Sequence, residues 1–163
     1  MFNGKYDSGL NYHQNFMNKA LQLAELALKE DEIPVGAIIT HKNRIIGKGY
    51  NQTEKLNDPT AHAEMIAISA AASTLSNKYL KDCTLYVTLE PCPMCAGALV
   101  WAKITRIVFG AMDANAGACG SVFNLASNKK LNHQIEIIQG VLEADCSYLL
   151  HHFFEKKRNE KNN

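Results

Sequence analysis

No apolar run in this sequence approaches the roughly 18 residues that a membrane-spanning helix needs, which excludes a membrane-embedded protein from the expectations. The opening stretch MFNGKYDSGLNYHQNF has no signal-peptide h-region either, and a cytoplasmic location is expected. An excess of one charge is also missing, since 17 Lys and Arg stand against 16 Asp and Glu for a formal net charge of +1. That balance excludes a histone-like polycation but leaves room for a local basic patch. There is no internal repeat and no sign of a second domain, and 163 residues is about the length of one. The 47% apolar and 20% charged content is that of an ordinary globular chain rather than a disordered one. Cysteine is present in an odd count of five, which in a reducing compartment reads as buried thiols or metal ligands rather than a disulfide framework.

Apolar residues at Phe16, Ala20, Leu23, Ala24 and Ala27 recur at helical spacing and predict a first helix over 13–30. After a break at Asp31 and Glu32, residues 33–39 and 44–47 read as two strands joined by the polar turn His41-Lys42-Asn43, a hairpin. Asp58-Pro59-Thr60 introduces an Ala-, Met- and Ile-rich helix that starts close to His62. A buried strand is expected over 84–89, with Pro93 in the first turn of the helix that follows it. Strands at 106–109 and 134–138 and a closing helix over 143–155 complete the pattern. Alternating strands and helices after a hairpin predict an α/β sandwich on a mixed sheet.

Chemistry concentrates in two short segments. Cys92-Pro93-Met94-Cys95 has the spacing that lets two thiolates hold one tetrahedral zinc, although a redox pair or a structural zinc knuckle would share it. His62-Ala63-Glu64 adds an imidazole and a carboxylate, and no second Cys-x-x-Cys exists to close a four-cysteine site. His62, Cys92 and Cys95 therefore offer three ligands to one zinc per chain and leave a coordination position open, as hydrolytic chemistry requires. Glu64 is the expected proton carrier. Each residue alone is ordinary, but their combination at predicted helix N-termini is not, because free N–H groups there favour thiolates and developing negative charge. Cys83, Cys119 and Cys146 lack ligand spacing and are expected to be buried structural thiols.

His-Ala-Glu followed by Pro-Cys-x-x-Cys resembles the cytidine deaminase superfamily. Within it, Pro34-Val35-Gly36-Ala37, Gly49-Tyr50-Asn51, residues 58–64, Leu89-Glu90-Pro91-Cys92 and Cys95-Ala96-Gly97-Ala98 are similar to the bacterial tRNA adenosine deaminases. The similarity continues through Phe109-Gly110-Ala111 with Asp113, Gly117-Ala118-Cys119-Gly120-Ser121, Leu131-Asn132-His133 and Gly140-Val141-Leu142, so that it covers about residues 12–158. The resemblance implies a three-layer cytidine deaminase-like sandwich with a central mixed sheet of about five strands flanked by helices. It further implies a zinc-dependent deaminase domain over 12–158, with 1–11 and 159–163 as flexible termini.

By the same resemblance the activity is hydrolytic deamination of adenosine to inosine at the wobble position of a tRNA anticodon, by a homodimer whose second subunit completes the cleft. The implied substrate contacts are Asn51, Ala63, Asp113 and Asn132, and Lys156, Lys157 and Arg158 are the implied contacts to the RNA backbone. Asn51 would face the nucleoside and Asp113 the sugar-phosphate of the flipped-out nucleotide. Cys92-Pro93-Met94-Cys95 with Val100-Trp101-Ala102 also resembles guanine deaminase, which would act on a free purine base. The segments at 117–121 and 131–133 favour the tRNA enzymes. A zinc-stabilised binding module without activity is the third reading, and a fourth protein ligand with Glu64 turned away from the metal would mark it.

Overall fold

The computed structural model describes residues 7–162, with side chains from Gly9 onward. Helix α1 (Asp7–Lys29) buries Met17, Ala20, Leu21, Ala24 and Ala27, so that Ala20, Ala24 and Ala27 of the expected stripe are buried while Phe16 and Leu23 are half-buried at its edge. It stops where Asp31 takes a left-handed backbone conformation, φ 62°, and the Glu32 N–H closes back onto the Ala27 carbonyl at 2.9 Å. The chain continues through β1 (Gly36–His41), β2 (Arg44–Tyr50), the short helix α2 (Thr53–Leu56), α3 (Ala63–Leu75), β3 (Cys83–Leu89), α4 (Pro93–Trp101), β4 (Arg106–Ala111), β5 (Glu136–Gln139) and α5 (Glu143–Lys161). The boundaries expected at 12 and 158 fall inside α1 and α5, so residues 7–11 and 159–161 are helical. Residues 1–6 and 163 of that expectation lie outside the described residues.

One five-stranded sheet in the order β2-β1-β3-β4-β5 forms the middle layer. The hairpin partner and β3 both run antiparallel to β1, whereas β3, β4 and β5 are mutually parallel, which makes the sheet mixed as expected. The central strands β1, β3 and β4 are almost continuously buried, and the two edges β2 and β5 are partly open. No helix among the described residues is long and apolar enough to cross a membrane.

Close approach of helix to sheet fixes the outer layers. On one face β1 and β3 are covered by α1, with α5 beside it over β4; on the other α3 lies on β2 and β1, with α4 next to it. The α3 contact is tight at Gly49, where an added Cβ would stand 2.2 Å from the Ala63 carbonyl and 2.9 Å from the Ala67 N–H. Only glycine lets the first turn of α3 lie that low on the sheet. Gly49→Ala should therefore destabilise the protein by about 1–3 kcal/mol through overpacking. Thermal unfolding should show this as a fall of roughly 2–4 °C per kcal/mol. An unchanged midpoint would contradict the packing.

The parallel pair β3 and β4 is joined through α4, but β4 and β5 are joined by an irregular connection over 112–135. Long connections of this kind in compact domains are commonly functional. This one leaves the C-terminal end of β4, beside the turn that follows β3. Crevices at the carboxyl ends of parallel strands are where α/β sheets bind ligands.

Candidate metal centre and its cleft

Two helix N-termini converge on the site. His62 is the N-cap of α3 and Cys92 the N-cap of α4, both in extended conformation (ψ 153° and 173°), and neither helix has a side-chain cap bond. Pro93 occupies the first turn of α4, where its missing N–H costs nothing, and Cys95 follows on the same turn. The first-turn N–H groups of both helices and the positive ends of their dipoles therefore face the same small volume.

There the ligand atoms of His62, Cys92 and Cys95 all lie within 4.8 Å of one another. The His62 Nδ1 is 3.7 Å from the Cys92 Sγ and 3.6 Å from the Cys95 Sγ. A tetrahedral zinc with Zn–S of about 2.3 Å and Zn–N of about 2.0–2.1 Å has ligand–ligand edges of about 3.5–3.8 Å, so the donor set fits that ion. The local electrostatics suit it as well. A hydrogen bond from Cys95, with His62 alongside, brings the Cys92 thiol down to about 4, while Cys95 is pushed in the opposite direction by sharing that bond and by burial. In the absence of a metal one thiolate is thus already favoured at neutral pH.

Glu64, one residue beyond Ala63 in the first turn of α3, is 4% exposed and is not part of the ligand group. Burial raises its carboxyl to about 7, where a proton can be taken up and released. No fourth protein donor joins the cluster among the described residues, and Glu64 faces the same cleft as His62 and Cys92. That geometry is the opposite of a closed structural zinc site.

The cleft has a volume of about 540 Å³. It is lined by His62, Glu64 and Cys92, by Val35, Asn51 and Thr53 next to β1 and β2, by Leu89 and Glu90 at the end of β3, by Met112 to Ala116 after β4, and by Leu150, His151 and Phe154 of α5. Strands β1 and β3 lie between the strands that lead to Asn51 and to Met112. A larger groove of about 660 Å³ lies between α1 and α5, lined by Asn18, Glu25, Asp145 and Tyr148 among others, but it contains no metal-ligand cluster. The chemistry therefore belongs to the smaller cleft.

Asn51 and Asp113, both expected at the site, line the cleft, one following β2 and the other β4, with β1 and β3 between those strands. The Asn51 amide donates from Nδ2 to Glu32 Oε2 at 3.3 Å and to Thr53 Oγ1 at 3.4 Å. Glu32 is 1% exposed and also accepts from the Lys55 N–H at 2.7 Å, so it anchors α2 and Asn51 together. Asp113 accepts from the Asn115 and Ala116 N–H groups at 2.9 and 3.1 Å, an Asx-turn that shapes the Met112–Ala116 wall. Ala63 is fully buried and is not among the residues lining the cleft. Asn132 is exposed in the 112–135 connection and is not among the residues lining the cleft.

The basic cluster also lies outside the cleft lining. Lys156 and Lys157 both pair with Asp31 at the end of α1 and with Glu160 on their own helix, and Arg158 is exposed beside them. Cys83, Cys119 and Cys146 are buried, and burial pushes their thiols up to about 11, 12 and 12, which agrees with inert structural roles.

Sequence reasoning missed two buried carboxylates. Glu32 read as part of a break between helix and strand, and Glu90 as one residue of a motif. Glu90 is 2% exposed. Burial pushes its carboxyl up, but hydrogen bonds from Ser121, Asp113 and Cys119 outweigh that and hold it below its ordinary value.

The family model for the cytidine and deoxycytidylate deaminase zinc-binding region matches residues 10–111. A tRNA-specific adenosine deaminase of Haemophilus influenzae is 48% identical over 151 residues, 92% of this chain and 87% of that protein. One from Aquifex aeolicus is 48% identical over 144 residues, 88% of this chain and 95% of that protein. Among solved structures, one from a study of A-to-I editing by tRNA:A34 deaminases at the wobble position superposes with a TM-score of 0.80 and 39% identity. It covers 83% of this chain and 99% of that one. A guanine deaminase from Nitrosomonas europaea superposes with a TM-score of 0.74 at 24% identity, over 86% of this chain and 83% of that one, a likeness of fold alone.

Proposed function

The chain belongs to the cytidine and deoxycytidylate deaminase zinc-binding family and, within it, to the tRNA-specific adenosine deaminases, and from that premise we propose how its own residues carry the reaction. The activity is hydrolytic deamination of adenosine to inosine, with release of ammonia, at the wobble position of a tRNA anticodon. The observation that carries the assignment of residues is the grouping of His62, Cys92 and Cys95 within 4.8 Å at the floor of a cleft shared with Glu64.

In this reading His62 Nδ1 and the two thiolates hold the zinc, whose contribution when bound is to lower the pKa of water toward 7 and so to furnish hydroxide at neutral pH. Glu64 takes a proton from the attacking water and delivers it to purine N1 as the C6–O bond forms. A second transfer through Glu64 protonates the amine, the C6–N bond breaks and ammonia leaves. The free N–H groups at the starts of α3 and α4 favour the negative charge that develops at the reacting carbon's oxygen. Asn51 orients the base, and Asp113 faces the ribose and its phosphates.

A base in a loop must leave its stack to reach this floor, which a single-stranded anticodon loop permits at modest cost. Phe154, Met112 and Ile33, all partly exposed at the cleft, offer apolar surface for the splayed loop. The reading includes a homodimer, for which Trp101, 80% exposed at the end of α4, is a candidate contact, and the cytoplasm as its place of action.

Ionic strength separates an RNA substrate from a free base. Each phosphate contact from Lys156, Lys157 or Arg158 should add about one unit to the slope of log affinity against log salt. Replacing all three by Ala should raise KM for the anticodon stem-loop and flatten that slope, while single turnover at saturation stays within about threefold. Because Lys156 and Lys157 are paired with Asp31, RNA phosphate competes with an existing carboxylate and Arg158 should contribute most of the change. A salt-independent KM that ignores all three substitutions would overturn the RNA-backbone assignment.

A further inference from the structure

Glu90 is a buried carboxylate for which the reaction itself has no use. It follows β3 directly, its N–H donating to the Ala111 carbonyl of the adjacent strand at 2.8 Å, and precedes Cys92 by two residues. Its side chain turns away from the sheet into the 112–135 connection and gathers four donors there. Oε1 accepts from the Cys119 and Ser121 N–H groups at 3.1 and 3.0 Å. Oε2 accepts from the Asp113 N–H at 3.0 Å and from the Ser121 hydroxyl.

Three of the four donors are backbone groups, so the bonds hold the course of the chain rather than a side chain. Around them the loop closes on itself: the Gly117 N–H reaches the Asp113 carbonyl at 2.9 Å, and the Ala118 N–H reaches the Pro91 carbonyl at 2.8 Å. The backbone passes so close over the carboxylate that a Cβ at Gly117 would stand 2.3 Å from Glu90 Oε2 and 2.6 Å from the Asp113 carbonyl. The segment that its bond to the Asp113 N–H pins, Met112 to Ala116, lines the cleft at the end of β4, two strands removed from β2, which leads to Asn51. Loops that line binding sites usually have few fixed contacts. One of these charge-assisted bonds, about twice as strong as a neutral one, reaches this wall directly from the Asp113 N–H, and the other three fix the 119–121 turn into which the wall continues.

We propose that Glu90 is a positioning residue for the substrate: by gathering the N–H groups of Asp113, Cys119 and Ser121 it holds the Met112–Ala116 wall at the distance from Asn51 that fits the flipped-out nucleotide. The inference rests on the adenosine-in-RNA reading of this cleft. An ionised carboxylate is the only side chain here that can match all four donors, because it has about four acceptor sites and no N–H. Gln at the same place would present an NH₂ to two of them. The wall would then shift or loosen while His62, Cys92, Cys95 and Glu64, which stand on α3 and α4, keep their places.

The test is steady-state and single-turnover kinetics of Glu90→Gln and Ser121→Ala on the anticodon stem-loop, with zinc content measured on the same samples. For Glu90→Gln the expected result is a rise in KM of at least tenfold, kcat within about threefold and one zinc per chain. Ser121→Ala, which removes one donor and leaves three, should give a smaller rise in KM in the same direction. Should Glu90→Gln fail to fold, Ser121→Ala carries the test alone. An unchanged KM in the folded variants, or a fall in kcat that tracks lost zinc, would overturn the positioning role. Failure of the parent reading looks different, since the unsubstituted protein would then leave the stem-loop adenosine intact.

Discussion

Glu64→Gln should bind one zinc per chain, unfold at nearly the parent temperature and lose turnover by about 10²- to 10⁴-fold, the range for a positioned general acid-base group. The substitution keeps the size and shape of the side chain but removes its capacity to carry a proton between water, purine N1 and the leaving amine. The metal should survive because Glu64 lies outside the group formed by His62, Cys92 and Cys95. The fold should survive because α3 is anchored by its apolar face, with Ala63, Ala67 and Ala71 fully buried against the sheet. Single-turnover rates at saturating stem-loop, with metal analysis of the same preparation, read both expectations. Activity within tenfold of the parent would remove Glu64 from its role, and zinc loss would make it a ligand instead.

Cys92→Ser should lose zinc and activity together. A serine hydroxyl is a poor substitute for a thiolate, and the Cys92 thiol is the one that its neighbours already bring down to about 4. Loss of a partner that merely orients a metal ligand costs about 10- to 100-fold in affinity, and loss of the ligand itself should cost more. Cys83→Ser is the control. Cys83 donates its thiol proton to the Lys81 carbonyl at 3.4 Å, a bond a hydroxyl can keep, and it should retain one zinc per chain. Competition with a chromogenic chelator would measure both affinities. Full metal content and activity in Cys92→Ser would show the ligand assignment to be wrong.

The chemistry at the floor of the cleft was legible because it is written locally. His62 and Glu64 share one helical turn, Cys92 and Cys95 another, and the Asp58-Pro59-Thr60 and Pro93 signals place each pair at a helix start. Strands β1, β3 and β4 could be read for a similar reason, since short β-branched runs bounded by turns leave few alternatives. The walls were much less legible. Helix α2 is a single turn with no buried residue, too short to leave a periodic signal. Glu32 and Glu90 look like ordinary surface acids in sequence, and what makes them structural is a set of donors 19 to 31 residues away, the Asn51 side-chain amide and four backbone N–H groups. Only Gly117 hinted at the second of these, because a close backbone approach requires glycine there.

The same non-locality explains the basic cluster. Lys156 and Lys157 read as free cations next to an RNA site, but Asp31 lies more than a hundred residues earlier and is brought beside them by the packing of α5 along α1. Asn132 followed from the family pattern alone. In this chain it stands exposed on the connection between β4 and β5 and is not among the residues that line the cleft.

Nucleoside analysis by mass spectrometry after incubation with an anticodon stem-loop carrying adenosine at the wobble position, and in parallel with free guanine, tests the central claim most directly. The account predicts inosine at the wobble position, no deamination of adenosines in the stem, and guanine left unconverted. Xanthine from guanine with an unmodified stem-loop would contradict the RNA assignment and leave only the zinc deaminase standing.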